Sequence, residues 1–449
     1  MRVLLIAEAA NPEWVSVPLE GWSHSRAIAG LVDAHLVTQV RNRAAIERAG
    51  AGPSEFTAID SEAVARRAHG LATFLRGGPD KAWTMAAAVS AITYPYFEHL
   101  VWKRFGPEIR AGGFDVVHRL IPLSPTAPSP IARRCAAAGV PFVAGPLNGG
   151  VPWPRGFDSA RRREKEWLSY FRGAYRLLPG VRSTRRHAAA LIVGSRDTLA
   201  EMPGWVRPKC VYIPENAVDP SRFRKTVAAA AARPVRVVFV GRLVPYKGAD
   251  MLLEAAAPLV KDGRVVVEII GDGPEMPSLR GLVERLGIGG GVSLRGWVAH
   301  RALEERLIAS DVFAFPSIRE FGGAVVLEAM AVGLVPVVVG YGGPGELVSK
   351  ETGIRVPIGS RVEITRGFRE VLTRLADAPE TIRPMGLRGR ERVMRHFTWE
   401  AKARQVLEVY RWVCGLRPKP PDFGGEAASE APVDAAFVGR VPVMRGSHV

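Results

Sequence analysis

Ten short runs of apolar, mostly β-branched residues punctuate this sequence, and most neighbours are far enough apart for a helix to fit between them. In the first half they fall at Val3–Ala7, Ala34–Val40, Val116–His118, Pro141–Ala144 and Leu191–Gly194. In the second half they fall at Val235–Val240, Val265–Ile270, Val292–Leu294, Asp311–Phe315 and Val335–Val339. Runs that are apolar throughout, instead of alternating with polar residues, suit strands covered on both faces. Strand–helix alternation twice over predicts an α/β chain built from two doubly wound parallel sheets. Between the halves, clustered Pro, Asn and Asp at Ile213–Pro220 and an Ala-rich stretch ending at Pro234 mark a linker. The expected organisation is an N-terminal domain over 1–216, a linker over 217–234 and a second domain over 235–399. A C-terminal helix over 400–415 and a disordered tail over 416–449, rich in Pro, Gly, Glu and Ala, complete it.

With 449 residues, 47% hydrophobic and 23% charged, the chain has the composition of a folded protein with real cores. Its three cysteines, Cys135, Cys210 and Cys414, are widely separated and form no C-x-x-C pair. That argues against a disulfide framework or a structural zinc site and points to a reducing compartment. The apolar run after Met1-Arg2 is five residues long, shorter than the ~7–15 of a signal-peptide core. No uninterrupted apolar window reaches the ~18 residues of a spanning helix. The expectation is a cytoplasmic protein, at most peripheral at the inner face of the membrane.

Two segments carry chemistry. Val237-Val-Phe-Val-Gly-Arg-Leu-Val-Pro-Tyr-Lys-Gly248 reads as a strand, its carboxyl end and a turn. Ligands of parallel sheets bind beyond the carboxyl ends of strands. There Gly241, Arg242 and Lys247 offer close backbone approach, a fixed fork of donors and a mobile point charge, a set that suits a diphosphate. The alternative is two solvated surface cations. The second segment, Pro316-Ser-Ile-Arg-Glu-Phe-Gly-Gly-Ala-Val-Val-Leu-Glu-Ala-Met-Ala331, reads as a strand end, a Gly-bearing loop and a helix starting near Ala324. The amides of Gly322, Gly323 and Ala324 would point outward at a helix N-terminus, where anions are favoured. Glu320 in the loop and Glu328 on the helix would then accept hydroxyls, one from a sugar and one from a ribose. The alternative for Glu328 is a helix-face acid paired with an arginine. Gly271-Asp-Gly-Pro274 is half of a G-x-G-x-x-G pattern and reads as a turn.

In order and spacing these segments, with Leu294-Arg-Gly-Trp-Val298 and Ala329-Met-Ala-Val-Gly-Leu-Val-Pro336, resemble the retaining, nucleotide-sugar-dependent glycosyltransferases of family 4, glycosyl transferases group 1. The resemblance covers most of residues 235–350. It implies the GT-B fold, with two Rossmann-like domains facing across a cleft and the C-terminal helix packing back on the N-domain. It implies a sugar moved from a nucleotide-diphosphate-sugar donor to a glycan or lipid-linked acceptor, with retention. By position, Gly241, Arg242 and Lys247 would hold the donor diphosphate, and Glu328 and Val298 the nucleoside. Phe321, Gly322 and Gly323 would hold the donor sugar, with Glu320 and His118 as the catalytic pair. No Asp-x-Asp suggests a cation site, so neither a metal nor another cofactor is expected. In place of the family's Gly-rich loop after the first strand stands Glu20-Gly-Trp-Ser-His-Ser-Arg26, which nominates His24 and Arg26 on the acceptor side. Aligning on Phe321 alone would replace Glu320 by Arg319.

The formal net charge is +17, and residues 1–210 carry 28 basic against 17 acidic residues. Within 161–187 nine basic residues accompany two acidic ones, and Trp167, Tyr170, Phe171 and Tyr175 fall at helical spacing. That segment suits docking on an anionic membrane, or it is a solvated helix whose aromatic stripe packs internally. A nucleic-acid-binding protein would explain the charge, but no recognisable binding motif accompanies it and no nucleic acid is expected. An epimerase or phosphorylase would share the architecture.

Overall fold

The computed structural model describes residues 1–62, 83–149, 151–154, 156–157, 179–227, 233–299 and 302–423. Two parallel sheets dominate. The first holds β1 (Arg2–Ala7), β2 (Asp33–Gln39), β3 (Phe56–Ile59), β4 (Val116–Ile121), β5 (Phe142–Leu147), β6 (Ala190–Val193) and β7 (Cys210–Tyr212), in the order 3-2-1-4-5-6-7. The second holds β8 (Val235–Val240), β9 (Val265–Ile270), β10 (Val292–Gly296), β11 (Val312–Phe315), β12 (Val335–Val339) and β13 (Ile354–Val356), in the order 10-9-8-11-12-13. Each of the ten apolar runs is a strand, and β12 ends where its run ends. Three strands lack such a run: β3 (FTAI), β7 (CVY) and β13 (IRV). All three are sheet edges of three or four residues, paired on one side only, so little burial marks them in the sequence.

Four helices position the site: α1 (Val17–Ala29), α2 (Ala249–Lys261), α3 (Ala324–Ala331) and α4 (Trp399–Val413). The core of α3 is Val326, Leu327, Ala329, Met330 and Ala331, all buried against the second sheet. Full burial of Leu327 alone is worth roughly 1.5–3 kcal/mol. Thr398 caps α4, accepting from the Ala401 amide at 3.1 Å. Ala403, Val406, Val409 and Tyr410 of that helix share one hydrophobic core with Val3, Leu5 and Ala7 of β1. The C-terminal helix therefore packs on the N-terminal sheet and against α1, as expected from the sequence.

The chain crosses between the sheets twice, and the crossings lie side by side. Val218 pairs with Thr398 in an isolated bridge, with Val218 N donating to Phe397 O at 2.8 Å. Phe423, in the segment read as a tail, packs against the first core, and description stops there. The three cysteines are free. Among the described residues no helix is long and apolar enough to cross a membrane.

Candidate active site

The carboxyl ends of both sheets face a shared cleft of about 1360 Å³. On the second-sheet side, β8 ends at Val240 and Gly241–Arg242 follow, with Gly241 N bonded to Ile270 O of β9 at 3.0 Å. The loop after β9 is pressed onto this strand end. A Cβ on Gly271 would lie 1.9 Å from Gly241 O, and Gly271 has φ +138°. The Gly271–Pro274 turn thus fixes where Arg242 leaves the sheet.

Lys247 closes a short helical turn, Pro245–Lys247, before α2. Tyr246 O accepts from Ile318 N at 3.0 Å, which ties this turn to the loop after β11. That tie brings the Lys247 ammonium onto Glu320, 73 positions later, as a salt bridge in the cleft wall. The Nζ also lies 5.1 Å from the Phe315 ring centroid. Burial pulls Lys247 down from its ordinary 10.5 to about 7. Helix α3 is preceded by Gly323, a residue with no side chain to cap it, and Phe321, Gly322 and Gly323 line the cleft at its N-terminus. First-turn amides there attract anions.

All nine of the second-sheet candidates line this cleft: Gly241, Arg242, Lys247, Val298, Glu320, Phe321, Gly322, Gly323 and Glu328. Arg319, the alternative to Glu320, is buried away from it, donating to Val151 O at 3.2 Å beneath Trp153.

The first-sheet candidates fare differently. His118 does not line the cleft. Strand β4 runs three residues past it to Ile121, and the residues that reach the cleft are Ile121, Pro122, Leu123 and Ser124. His118 is instead buried mid-strand, its Nδ1 2.6 Å from the Tyr410 hydroxyl and its Nε2 2.8 Å from Gly145 O. Burial pushes its pKa down to about 3, so the ring is neutral. The stretch Glu20–Arg26 is not a loop but part of α1, and helical phase decides which residues face the cleft. Glu20 and Ser23 do. His24 is buried against Trp399, ring centroids 5.6 Å apart, and burial holds its pKa well below the usual value. Arg26 points outward to an ion pair with Glu55 at 2.6 Å. Glu20 is the residue that sequence reasoning passed over; the signal was its i,i+3 spacing to Ser23 after Pro18, a helix start.

Of the basic segment 161–187, residues 161–178, including its four aromatics, lie outside the described residues.

The model of the family described as glycosyl transferases group 1 matches residues 223–383. The α-maltose-1-phosphate synthase of Mycobacterium tuberculosis is 30% identical over 288 residues, which cover 57% of this chain and 71% of that protein. The chain belongs to glycosyl transferases group 1. This glycosyltransferase, an enzyme of the EC 2.4 class, is also similar to a GDP-mannose-dependent phosphatidylinositol monomannoside mannosyltransferase of M. tuberculosis. There the identity is 34% over 220 residues, 44% of this chain and 55% of that protein. It thus spans about half the length of that relative. Among solved structures, the sucrose-phosphate synthase of Thermosynechococcus elongatus superposes with TM-score 0.58, covering 93% of this chain and 100% of that one. At 19% identity that likeness establishes the GT-B fold.

Proposed function

We propose that this glycosyltransferase moves a sugar from a nucleoside-diphosphate-sugar to a glycan or lipid-linked acceptor with retention of configuration. The observation that carries the reading is the Lys247–Glu320 pair in the cleft wall beside the N-terminus of α3. Arg242, Lys247 and the α3 amides offer preorganised positive charge for the leaving diphosphate. Glu320, held by Lys247, is placed to accept from the sugar hydroxyls, and Glu328 from the ribose, with Val298 beside the base. As the C1–oxygen bond to phosphate breaks, a bond from the acceptor oxygen to C1 forms on the same face. The acceptor's proton passes to the departing diphosphate, so no enzyme base is needed.

The first-sheet wall combines apolar groups (Val15, Val17, Leu19, Trp22 and Leu123) with the cation Arg41. That mixture suits an acceptor with an apolar part and an anionic group. The net charge of +17 favours an anionic surface and supports a peripheral position at the inner face of a membrane.

A thermal-shift panel of UDP-, GDP- and ADP-sugars tests the donor. A ligand at about 100 times its Kd stabilises the folded state by about 2.7 kcal/mol, so one base is expected to stand out. Nucleoside diphosphate released only when acceptor is present supports transfer; release or isomerisation without acceptor overturns it. A chelator is expected to leave the rate unchanged, because the diphosphate's charge is met by Arg242 and Lys247. A rate lost to chelator and restored by magnesium overturns that assignment.

A further inference from the structure

Behind the Phe321–Gly323 loop, three buried charged side chains from three separate elements face one another. Glu20 comes from α1, Glu215 from the first crossing between the sheets and Lys402 from α4. Lys402 is 1% exposed, and its Nζ has no hydrogen-bond partner among the described residues. Glu20 Oε1 is likewise buried and unpartnered. Glu215 accepts from Asn148 Nδ2 at 2.5 Å and from Asn216 Nδ2 at 3.3 Å.

The carboxyl group of Glu215 also touches the donor loop. A Cβ on Gly322 would stand 2.4 Å from Glu215 Oε1 and 1.7 Å from Asn216 Nδ2, so the loop backbone rests on this pair. A displaced Glu215 would therefore be felt directly at Gly322.

An isolated ammonium in a dry interior is costly unless opposite charge faces it. Ionised Glu215 supplies that charge. We infer that Lys402 is a positioning residue for the transfer reaction: its ammonium keeps Glu215 ionised, and ionised Glu215, bridged to Asn148 and Asn216, holds the Phe321–Gly323 loop in place. The inference rests on reading that loop as the seat of the donor sugar.

The electrostatics agree in direction. Burial raises Glu215 to about 7, against the opposing pull of Asn148 and Lys402. Burial lowers Lys402 to about 7, against the pull of Glu20 and Glu215. Burial and the neighbouring Glu215 raise Glu20 well above its usual value, against the pull of Lys402. His24, the other titratable group beside Lys402, is kept neutral by burial. Acidification protonates Glu215 and removes its charge. Without Lys402, Glu215 would hold its proton to higher pH.

The test measures binding of UDP-glucose and GDP-mannose, beside UDP and GDP, to the full-length protein from pH 5 to 9. In the wild type, the sugar nucleotide that binds is expected to weaken on the acid side as Glu215 protonates. Lys402→Met should move this acid limb up by about one pH unit or more, with binding of the bare diphosphate moving far less. Glu215→Gln should flatten the limb, and adding Lys402→Met to that variant should then change nothing further. An unmoved limb in Lys402→Met overturns the inference, as does an equal shift for the bare diphosphate, which a purely structural role would give. Should Lys402→Met fail to fold, Glu215→Gln decides alone: a limb that persists overturns the inference. A wild type that binds neither sugar nucleotides nor diphosphates fails at the donor reading itself, and the inference falls with it.

Discussion

Lys247→Ala is expected to lower turnover roughly 10²–10³-fold, the cost of removing one preorganised group from a developing negative charge. The melting temperature should change little, because Glu320 is left partly exposed and water can reach it. Steady-state kinetics beside a thermal melt checks this; near-wild-type turnover would remove Lys247 from the diphosphate site. The same residue predicts a pH dependence whose sign follows from its pKa. In the empty cleft Lys247 titrates at about 7, far below the usual 10.5, because burial disfavours its charge. A diphosphate binds the charged form. Above pH 7 binding must therefore bring a proton with it, and affinity should fall by up to about tenfold per pH unit. Calorimetry in buffers of different ionisation heat should register that proton uptake, and Lys247→Ala should abolish it.

Gly271→Ala is expected to be the most damaging of the small substitutions. Its Cβ would sit 1.9 Å from the backbone oxygen of Gly241, and φ +138° is poorly suited to any L side chain. Neither partner is a flexible side-chain end, so the two loops must part. Backbone strain and overpacking together cost roughly 3 kcal/mol or more. Denaturant unfolding should show a lowered midpoint, and diphosphate binding should be lost because Arg242 leaves the sheet from the displaced strand end. Gly290→Ala is the control. Nothing lies within 4 Å of its Cβ and its φ lies outside the left-handed region, so its effect should stay within about 0.5 kcal/mol.

Both predictions concern residues whose surroundings the sequence announced. Gly241–Gly248 and Pro316–Ala331 are contiguous stretches at strand ends, where local pattern and position in the sheet coincide. Central strands were equally plain, because burial on both faces leaves an unbroken apolar run. What escaped was set by partners remote in the chain. His118 was read as a strand end because polar His118-Arg119 interrupts the apolar run. The strand continues because Tyr410, 292 residues away, and Gly145 satisfy the imidazole, while Arg119 is bonded to Ala127 O and Ser129. His24 and Arg26 failed for a different reason. Position after the first strand marked a stretch that borders the cleft, but one or two positions along a helix turn a side chain from the cleft to the core or the solvent. Glu215 and Lys402 lie 187 positions apart, and only the adjoining crossings bring them together.

Those adjoining crossings bear on how the protein is made. Residues 399–413 complete the hydrophobic core that β1 begins, so the half synthesised first is finished last. As the chain leaves the ribosome, the part of the N-terminal sheet's core that α1 leaves for α4 stays uncovered until residues 399–413 have emerged. An apolar face kept waiting that long is open to association with other chains. During synthesis, then, the vulnerable part of this enzyme is its first sheet, and it stays so until α4 docks.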